Sequence, residues 1–271
     1  MKSFSPQAKT LLFAFLLLAL FFVYGGLFYP HSADLPSGGS LEEPSSAHWL
    51  GTDDLGVDLY AQLSAGFFSS MAVGLAAAAF AFLLGGLAGV LAGLSSGTAD
   101  AFLSFLIQLF LSLPQLPVMV VIGAFFGQSA WNIILIVSLF SWAPIAKVLR
   151  ARVRQIRGRP YLRLAKSYGG RAGYLVSAHM LGELLPLLSV SALSVVGKAI
   201  VQEASLAYLG LSDPLSRSWG LLIQKCVSFP GIYFTPYWKV FALVLTVLCL
   251  RLFSRELETI WRREESDAAG A

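Results

Sequence analysis

Charged residues are scarce in this chain: Asp, Glu, Lys and Arg make up 13% of its 271 residues, whereas a soluble domain averages roughly 25%. Two runs contain none of them, the 41 residues from Leu59 to Ala99 and the 46 residues from Ala101 to Ala146. One membrane crossing takes about 20 apolar residues, so each run has room for two. A soluble globule, a disordered chain and a protein with a single anchor are therefore excluded, and the sequence predicts a polytopic membrane protein.

Cysteine and histidine are also rare, with two and three residues. Cys226 and Cys249 fall at different depths of the predicted topology, the first in an outer loop and the second in a span, which argues against a disulfide between them. The histidines, His31, His48 and His179, form no cluster in the sequence and share no ligand spacing. The sequence therefore predicts no metal site built by this chain.

The nucleotide-binding signature G-x-x-x-x-G-K-[ST] is missing, because the one Gly-Lys pair, Gly197-Lys198, is followed by alanine and lacks the upstream glycine. The zinc-protease signature H-E-x-x-H is missing too. The sequence thus predicts a chain that is not an enzyme and that binds no cofactor itself. If it moves a solute uphill, the energy comes from a partner or from an ion gradient. The net charge of +4 is attributed to membrane topology and not to nucleic-acid binding.

Six membrane spans are predicted, at about residues 10–30, 67–94, 101–128, 131–149, 184–211 and a sixth at 238–250. A cleaved signal peptide is the alternative interpretation of the first. Gly85, Gly89 and Gly93 share one face of the second span and allow another helix to approach closely; that they are ordinary glycines of a membrane helix is the alternative. Pro114 and Pro117 bend or break the third span, either as a structural kink or as part of a pore lining.

Lys and Arg are distributed very unevenly among the segments between spans. With the N-terminus inside, the inside segments hold 15 of them and the outside segments two, Arg217 and Lys225. The positive-inside rule therefore places both termini in the cytoplasm. The predicted organisation is a cytoplasmic N-terminus with the first span (1–30), an outer segment (31–66), a core (67–255) and a cytoplasmic tail (256–271). The core includes an inner basic segment (147–183) and an outer loop (212–237).

Two charged residues fall inside the predicted fifth span, Lys198 and Glu203. A charge there costs about 2.5–3.5 kcal/mol and usually faces a partner or a cavity. Five residues along a helix correspond to about 140° of net rotation, so these two side chains are not expected to pair. Structural contacts and a place on a translocation route both remain open for them.

The basic segment, residues 147–183, holds nine of the 19 basic residues and no acid before Glu183. After Pro160, apolar residues are mixed with basic ones, and the segment is interrupted at Gly169-Gly170. This pattern predicts two short amphipathic helices joined by a glycine turn. The apolar face of such a helix packs against another protein surface, so we expect a cytoplasmic partner at this segment.

The sequence from Arg163 to Gly169, Arg-Leu-Ala-Lys-Ser-Tyr-Gly, is followed nine residues later by His179-Met180-Leu181-Gly182. It resembles the motif E-A-A-x-x-x-G-x9-I-x-L-P of the permease subunits of bacterial ABC importers. The second alanine, the glycine and the leucine are retained. Arginine, histidine and glycine replace the leading glutamate, the isoleucine and the proline.

Three further stretches narrow this resemblance to the permeases of dipeptide, oligopeptide and nickel importers, in the second of their two permease types. Residues 48–58, H-W-L-G-T-D-D-L-G-V-D, resemble the family's H-x-L-G-T-D-x-x-G-R-D, with Val57 in place of arginine. Residues 203–211, E-A-S-L-A-Y-L-G-L, resemble its E-A-A-L-S-F-L-G-L, and Ser218-Trp219-Gly220 resembles its P-S-W-G. The matches cover residues 45–255 in the family's order.

The resemblance implies an all-α, type I ABC importer permease fold with six transmembrane helices in a bacterial inner membrane. It implies a heterodimer with a homologous permease, two ATP-binding subunits that bind ATP and Mg²⁺, and an extracytoplasmic protein that delivers peptides or nickel or metal-chelate complexes. A gradient-driven secondary transporter, which needs an inverted repeat or a titratable relay, is the alternative, and a membrane scaffold is a third hypothesis.

The resemblance also assigns site residues. The ATPase-coupling candidates are Arg163, Leu164, Ala165, Lys166, Ser167, Tyr168, Gly169 and Gly170. The candidates for facing the binding protein are Asp53, Asp54, Asp58 and Trp219. Independently of the resemblance, the prolines and charges within the predicted spans make Pro114, Pro117, Lys198 and Glu203 the candidates for a pore or gate.

Overall fold

The structure, a computed structural model, describes residues 6–214, 216–228, 241–249, 251–253 and 255–256. The helices are α1 (Pro6–Leu27), α2 (Leu59–Leu94), α3 (Thr98–Ser112), α4 (Gln115–Phe126), α5 (Ala130–Arg157), α6 (Pro160–Ser167), α7 (Ala172–Tyr174), α8 (Leu181–Tyr208) and α9 (Trp219–Ser228). A π-helical turn, Leu175–Met180, joins α7 to α8, and residues 241–249 and 251–253 are also helical. Thr52 and Asp58 form an isolated antiparallel bridge.

Among the described residues, four helices are long and apolar enough to cross a membrane: α1, α2, α5 and the Val190–Tyr208 part of α8. Helices α3 and α4 pass the same test together but meet at 91°, as a broken span or a re-entrant loop. The all-α, polytopic fold class is thus confirmed, and so is the interruption of the third span. Residues 238–240 and 250 of the predicted sixth span, and most of the tail, lie outside the described residues.

Helix α2 begins at Leu59, eight residues before the predicted start at 67. Asp58 forms its N-cap, because Asp58 Oδ1 accepts a hydrogen bond of 2.9 Å from the backbone N–H of Ala61. Leu59, Tyr60 and Leu63 are all buried in the first turns. The first eight residues are thus held by a cap and by packing, although they lack the uninterrupted apolar character of the rest.

Helix α5 continues to Arg157, eight residues beyond the predicted end of the fourth span at 149. Leu149, Val153 and Ile156 recur at helical spacing and are all at most 1% exposed. On another side of the same turns, Arg150 Nε donates a 3.0 Å hydrogen bond to Asp100 at the start of α3. The first part of the basic segment is therefore a continuation of a membrane helix with one buried face, and the loop proper begins at Gly158.

The glycine face of α2 lies against α5. A Cβ atom at Gly85 would lie 2.5 Å from the carbonyl oxygen of Trp142, and one at Gly89 would lie 2.7 Å from that of Ala146. At Gly93 it would lie 2.6 Å from a side-chain carbon of α5. The predicted close approach of a second helix is thus confirmed, with α5 as the partner.

Candidate functional site

A cavity of about 610 Å³ lies against α4, α5, α8 and the helical residues after 241. Its wall is mainly apolar, and the polar and charged side chains on it include Gln115, Ser141, Lys198, Gln202, Arg251 and Arg255. Lys198 and Gln202 are one turn apart on α8 and therefore share a face. A concave apolar wall with a few converging polar groups is the usual construction of a ligand-binding surface.

Hydrogen bonds tie the polar side chains of three helices together at this wall. Ser141 Oγ of α5 donates to Gln202 Oε1 at 3.2 Å, and Gln202 Nε2 of α8 donates to Gln115 Oε1 at 3.1 Å. Gln115 is the first residue of α4 and directly follows Pro114. The 91° bend between α3 and α4 therefore accompanies the placement of an amide side chain at the cavity.

The four pore candidates have different positions. Lys198 is exposed on the cavity wall. Glu203 is 1% exposed and is absent from that wall, so the two charged groups lie on different faces as expected. Pro114 precedes α4 and Pro117 lies in its first turn, and neither lines the cavity. The prolines act on the backbone, and Lys198 is the candidate that reaches the cavity.

Glu203 belongs to a buried chain of hydrogen bonds that joins α8, α2 and α9. The backbone N–H of Trp219 donates to Ser70 Oγ at 3.1 Å, and Ser70 Oγ donates to Glu203 Oε2 at 3.1 Å. The indole Nε1–H of Trp219 donates to the Leu63 carbonyl oxygen at 2.9 Å. A buried carboxylate needs such partners, and these bonds hold Glu203 between the helices; a role for it in a gate stays a prediction.

Helix α6 combines a buried anchor with an exposed apolar face. Leu162 is 3% exposed and belongs to the same core cluster as Leu175. Leu164 is 59% exposed and Tyr168, four residues on, is 89% exposed. Gly169, with a φ of +85°, lies directly after these residues in the left-handed conformation that favours glycine. The predicted short helix and glycine turn are present, and the second helix continues through the π turn into α8.

The other coupling candidates complete this turn. The Ser167 hydroxyl donates to a carbonyl of its own helix at 2.8 Å, and the Gly170 N–H donates to the Ala165 carbonyl at 3.1 Å. The side chains of Arg163 and Lys166 lie outside the described part of the chain. The contact of Arg163, which replaces the family's glutamate, with an ATPase therefore stays a prediction.

Glu183 connects α8 to α5 and α6. Its carboxylate accepts hydrogen bonds from Arg159 Nη1 at 2.7 Å, from the Tyr161 hydroxyl at 2.9 Å and from Arg152 Nη2 at 3.4 Å. Burial and, to a smaller extent, the bond to Glu183 raise the pKa of Tyr161 above its usual range. Sequence reasoning did not single out Glu183 as a site residue, although it is the first acid after nine basic residues.

Three of the four candidates for facing the binding protein are buried. Asp53 is 8% exposed, and Asp58 and Trp219 are fully buried. Asp53 Oδ1 accepts from the backbone N–H of Val57 at 2.8 Å, and Asp58 caps α2. Of the four, this leaves Asp54 exposed. The other three fix the shape of the segment before α2 and the start of α9.

Two histidines meet in the segment before α2, contrary to the prediction that the histidines form no cluster. The rings of His31 and His48 are 4.6 Å apart between centroids, because the segment folds back on itself between them. His48 Nδ1 lies 2.8 Å from Asp58 Oδ2, to which the Tyr29 hydroxyl also donates at 3.1 Å. Burial and, to a smaller extent, the Asp58 carboxylate raise the pKa of Tyr29 to about 12.

A helical, polytopic chain whose membrane helices line a cavity, with polar side chains on a mainly apolar wall, has the architecture of a membrane transport protein. Comparison with known proteins gives the family. The sequence model of the family described as "Binding-protein-dependent transport system inner membrane component" matches residues 81–260. The chain therefore belongs to the inner-membrane permease components of binding-protein-dependent ABC importers.

Curated relatives agree with this assignment. The probable D,D-dipeptide transport system permease protein of Escherichia coli is 31% identical over 211 residues, which are 78% of this chain and 70% of that protein. A putative peptide permease of Brucella suis is 31% identical over 244 residues, 89% of this chain and 79% of that protein. The dipeptide transport system permease protein of Bacillus subtilis is 30% identical over 232 residues, 85% and 72% of the two chains.

Membership of this family assigns the class of function. The chain is a multi-pass permease component of an ABC importer, and its system includes a substrate-binding protein and ATPase subunits. The relatives are transport permeases rather than enzymes. This replaces the alternative of a gradient-driven secondary transporter and the hypothesis of a scaffold without transport.

Proposed function

We propose that this chain imports peptides and that the cavity beside α4, α5 and α8 is its share of the translocation path. The observation that carries the proposal is the position of Lys198, within the membrane helices, on a wall that is mainly apolar. An exposed cation there is costly unless it meets an anion or water. The relatives' names favour peptides over nickel or metal chelates as the cargo.

The chemistry of the wall matches that of a peptide. The carboxylate at the end of a peptide suits Lys198, and Arg251 and Arg255 add positive charge at the same cavity. The amide side chains of Gln115 and Gln202 can exchange their mutual 3.1 Å hydrogen bond for bonds to peptide groups. The apolar remainder of the wall accepts side chains of varied shape.

The assembly follows from the resemblance. We propose that a second, homologous permease completes the path as a heterodimer, and that the Lys and Arg asymmetry places both termini and the basic segment in the cytoplasm. The segment before α2 and the loop before α9 then face outward, toward the binding protein. ATP and Mg²⁺ bind to the two partner ATPases.

The exposed face of α6 is the proposed ATPase contact. Leu164 and Tyr168 offer apolar surface to a partner, while Leu162 holds the helix on the core. The bonds from Arg159 and Tyr161 to Glu183 connect this helix to the start of α8. A displacement of α6 by the ATPase is therefore passed to the helix that carries Lys198.

Uptake by the whole transporter in proteoliposomes tests the path. With a labelled dipeptide, ATP inside and the binding protein outside, Lys198→Met should lower the uptake rate by about tenfold or more, because a hydrogen bond to a charged group contributes about 1.5–3 kcal/mol. Lys198→Arg should retain most of the rate. Lys225→Met, which removes an exposed lysine of α9 away from the cavity, is the matched control. Uptake by Lys198→Met at the wild-type rate would contradict the proposal.

A further inference from the structure

Two imidazole rings and two carboxylates converge in the segment before α2, on the side that we propose to be extracytoplasmic. The ligand atoms of His31, His48 and Asp58 all lie within 4.8 Å of one another. His48 Nε2 also lies 3.9 Å from Glu42 Oε2. From this geometry we infer that His31, His48 and Glu42 bind a divalent metal ion of the zinc class, with Asp58 orienting His48.

Each histidine has one ring nitrogen next to an oxygen acceptor. His48 Nδ1 is 2.8 Å from Asp58 Oδ2, and His31 Nε2 is 3.1 Å from the Ala47 carbonyl oxygen. With protons on these two nitrogens, His48 Nε2 and His31 Nδ1 carry the lone pairs. Metal-binding histidines typically donate their other N–H to a carboxylate or a backbone carbonyl in this way.

One half of the site is rigid. Asp58 is fully buried and His48 is 4% exposed. Asp58 is fixed by the α2 cap, through Oδ1, and by the Tyr29 hydroxyl, which donates to Oδ2 at 3.1 Å. The rotation of the His48 ring is therefore set before any ion arrives, which reduces the ordering that binding requires.

The other half can adjust. The Glu42 side chain is 45% exposed, and His31 is half-buried. Ligands of a tetrahedral zinc ion at about 2.1 Å are about 3.4 Å apart, so the 3.9 Å between His48 Nε2 and Glu42 Oε2 closes by about 0.5 Å. A Cβ atom at Gly38 would lie 2.7 Å from His48 Nε2 and 3.0 Å from Glu42 Oε2, so glycine at this position keeps the space beside both atoms open.

The ligand set favours one class of ion. Two imidazoles and one carboxylate suit Zn²⁺ and its neighbours among the transition metals, whereas Mg²⁺ and Ca²⁺ prefer oxygen ligands alone. Bound there, the ion would join residues 31, 42 and 48 and hold this outer segment over the start of α2. The inference is independent of the transported substrate, because the site lies outside the cavity that contains Lys198.

Zinc binding to the purified transporter tests the site directly. The complex, stripped with a chelator and kept without nucleotide, is titrated with Zn²⁺ against a chromophoric competitor, and bound zinc is measured by mass spectrometry. We expect one more zinc per transporter in the wild type than in His31→Ala or Glu42→Gln, or an affinity reduced by at least about 10–100-fold in these variants. The glutamine retains an oxygen to accept the 2.6 Å hydrogen bond from the Gly39 N–H.

Matched controls separate this site from other metal binding. His179→Ala removes the third histidine, which lies in the basic segment, and Glu43→Gln removes the exposed neighbouring carboxylate. Both should bind zinc as the wild type does. Ca²⁺ in place of Zn²⁺ should give no difference between the variants. Equal zinc content and affinity in the wild type, His31→Ala and Glu42→Gln would overturn the inference.

Discussion

Replacing Gly89 by alanine should force α2 away from α5. A Cβ atom at Gly89 would lie 2.7 Å from the carbonyl oxygen of Ala146 and 2.8 Å from Cβ of Leu149. The oxygen belongs to the backbone of a packed helix, so no rotation of a side chain relieves the contact. The two helices must therefore separate along a face on which Gly85 and Gly93 also lie in close contact with α5.

Gly86, three positions before Gly89 on the same helix, provides a control. A Cβ atom there would meet nothing within 4 Å, so Gly86→Ala adds the same methyl group to the same helix without a clash. Both changes alter the helix propensity equally, and the difference between the variants isolates packing. Overpacking of this kind costs about 1–3 kcal/mol, so Gly89→Ala should be less stable than Gly86→Ala by that amount.

Thermal unfolding of the detergent-purified transporter measures this difference. For chains of this size, 1 kcal/mol corresponds to a change in Tm of about 2–4 °C, so the two variants should differ by about 2 °C at the least. Gly85→Ala is likewise expected to have a lower Tm than Gly86→Ala. If Gly86→Ala is destabilised as much as Gly89→Ala, the close α2–α5 contact is not what requires glycine, and the reasoning fails.

Three further predictions concern the ends of the helices. Tyr168→Ala should reduce co-purification of the ATPase subunits while leaving membrane insertion intact, because Tyr168 is the most exposed side chain of the α6 face; unchanged co-purification would contradict the proposed dock. Trp219→Ala should lower the free energy of unfolding by about 3–5 kcal/mol and reduce the amount of the chain in the membrane. Trp219→Phe, which loses chiefly the bond to the Leu63 carbonyl, should cost about 1 kcal/mol. Equal expression of the two variants would be inconsistent with a packing role. Glu183→Gln should lower the ratio of peptide transported to ATP hydrolysed, since it removes the negative charge that Arg152 and Arg159 share. An unchanged ratio in proteoliposomes would argue against transmission through Glu183.

The parts of the fold that rest on composition and on backbone chemistry were predictable from the sequence. Apolar length indicated the spans, proline predicted the interruption at Pro114, and the four-residue spacing of glycine predicted the face at Gly89. Each depends on a property that acts locally along one helix. The continuation of α5 also left such a signal, because Leu149, Val153 and Ile156 recur at helical spacing, but the surrounding arginines suggested a loop.

The parts of the site that depend on tertiary contacts were not predictable in the same way. Asp53, Asp58 and Trp219 are polar or amphipathic residues in the two outer segments between spans, which suggested exposure, yet each is buried and forms hydrogen bonds within this chain. His31 and His48 are 17 positions apart in the sequence. Only the fold of the intervening residues brings their rings to 4.6 Å, and no periodicity in the sequence records that distance.

Helix α8 connects the proposed ATPase contact to the cavity. Glu183 lies near one end and accepts hydrogen bonds from Arg152 of α5 and Tyr161 of α6, and Lys198 follows 15 residues later on the same helix. At 1.5 Å per residue this is about 22 Å along the axis, a distance that a rigid helix spans without a chain of intermediate contacts.

Beyond Lys198, the buried carboxylate of Glu203 ties the far end of α8 to Ser70 of α2 and, through it, to Trp219. The helix is therefore held at both ends, and its middle lines the cavity. A displacement that enters at Glu183 must then tilt or bend α8 against its anchor at Glu203, and Lys198 lies between these two points. This arrangement supplies a physical reason for the position of Lys198 on α8 rather than on α4 or α5.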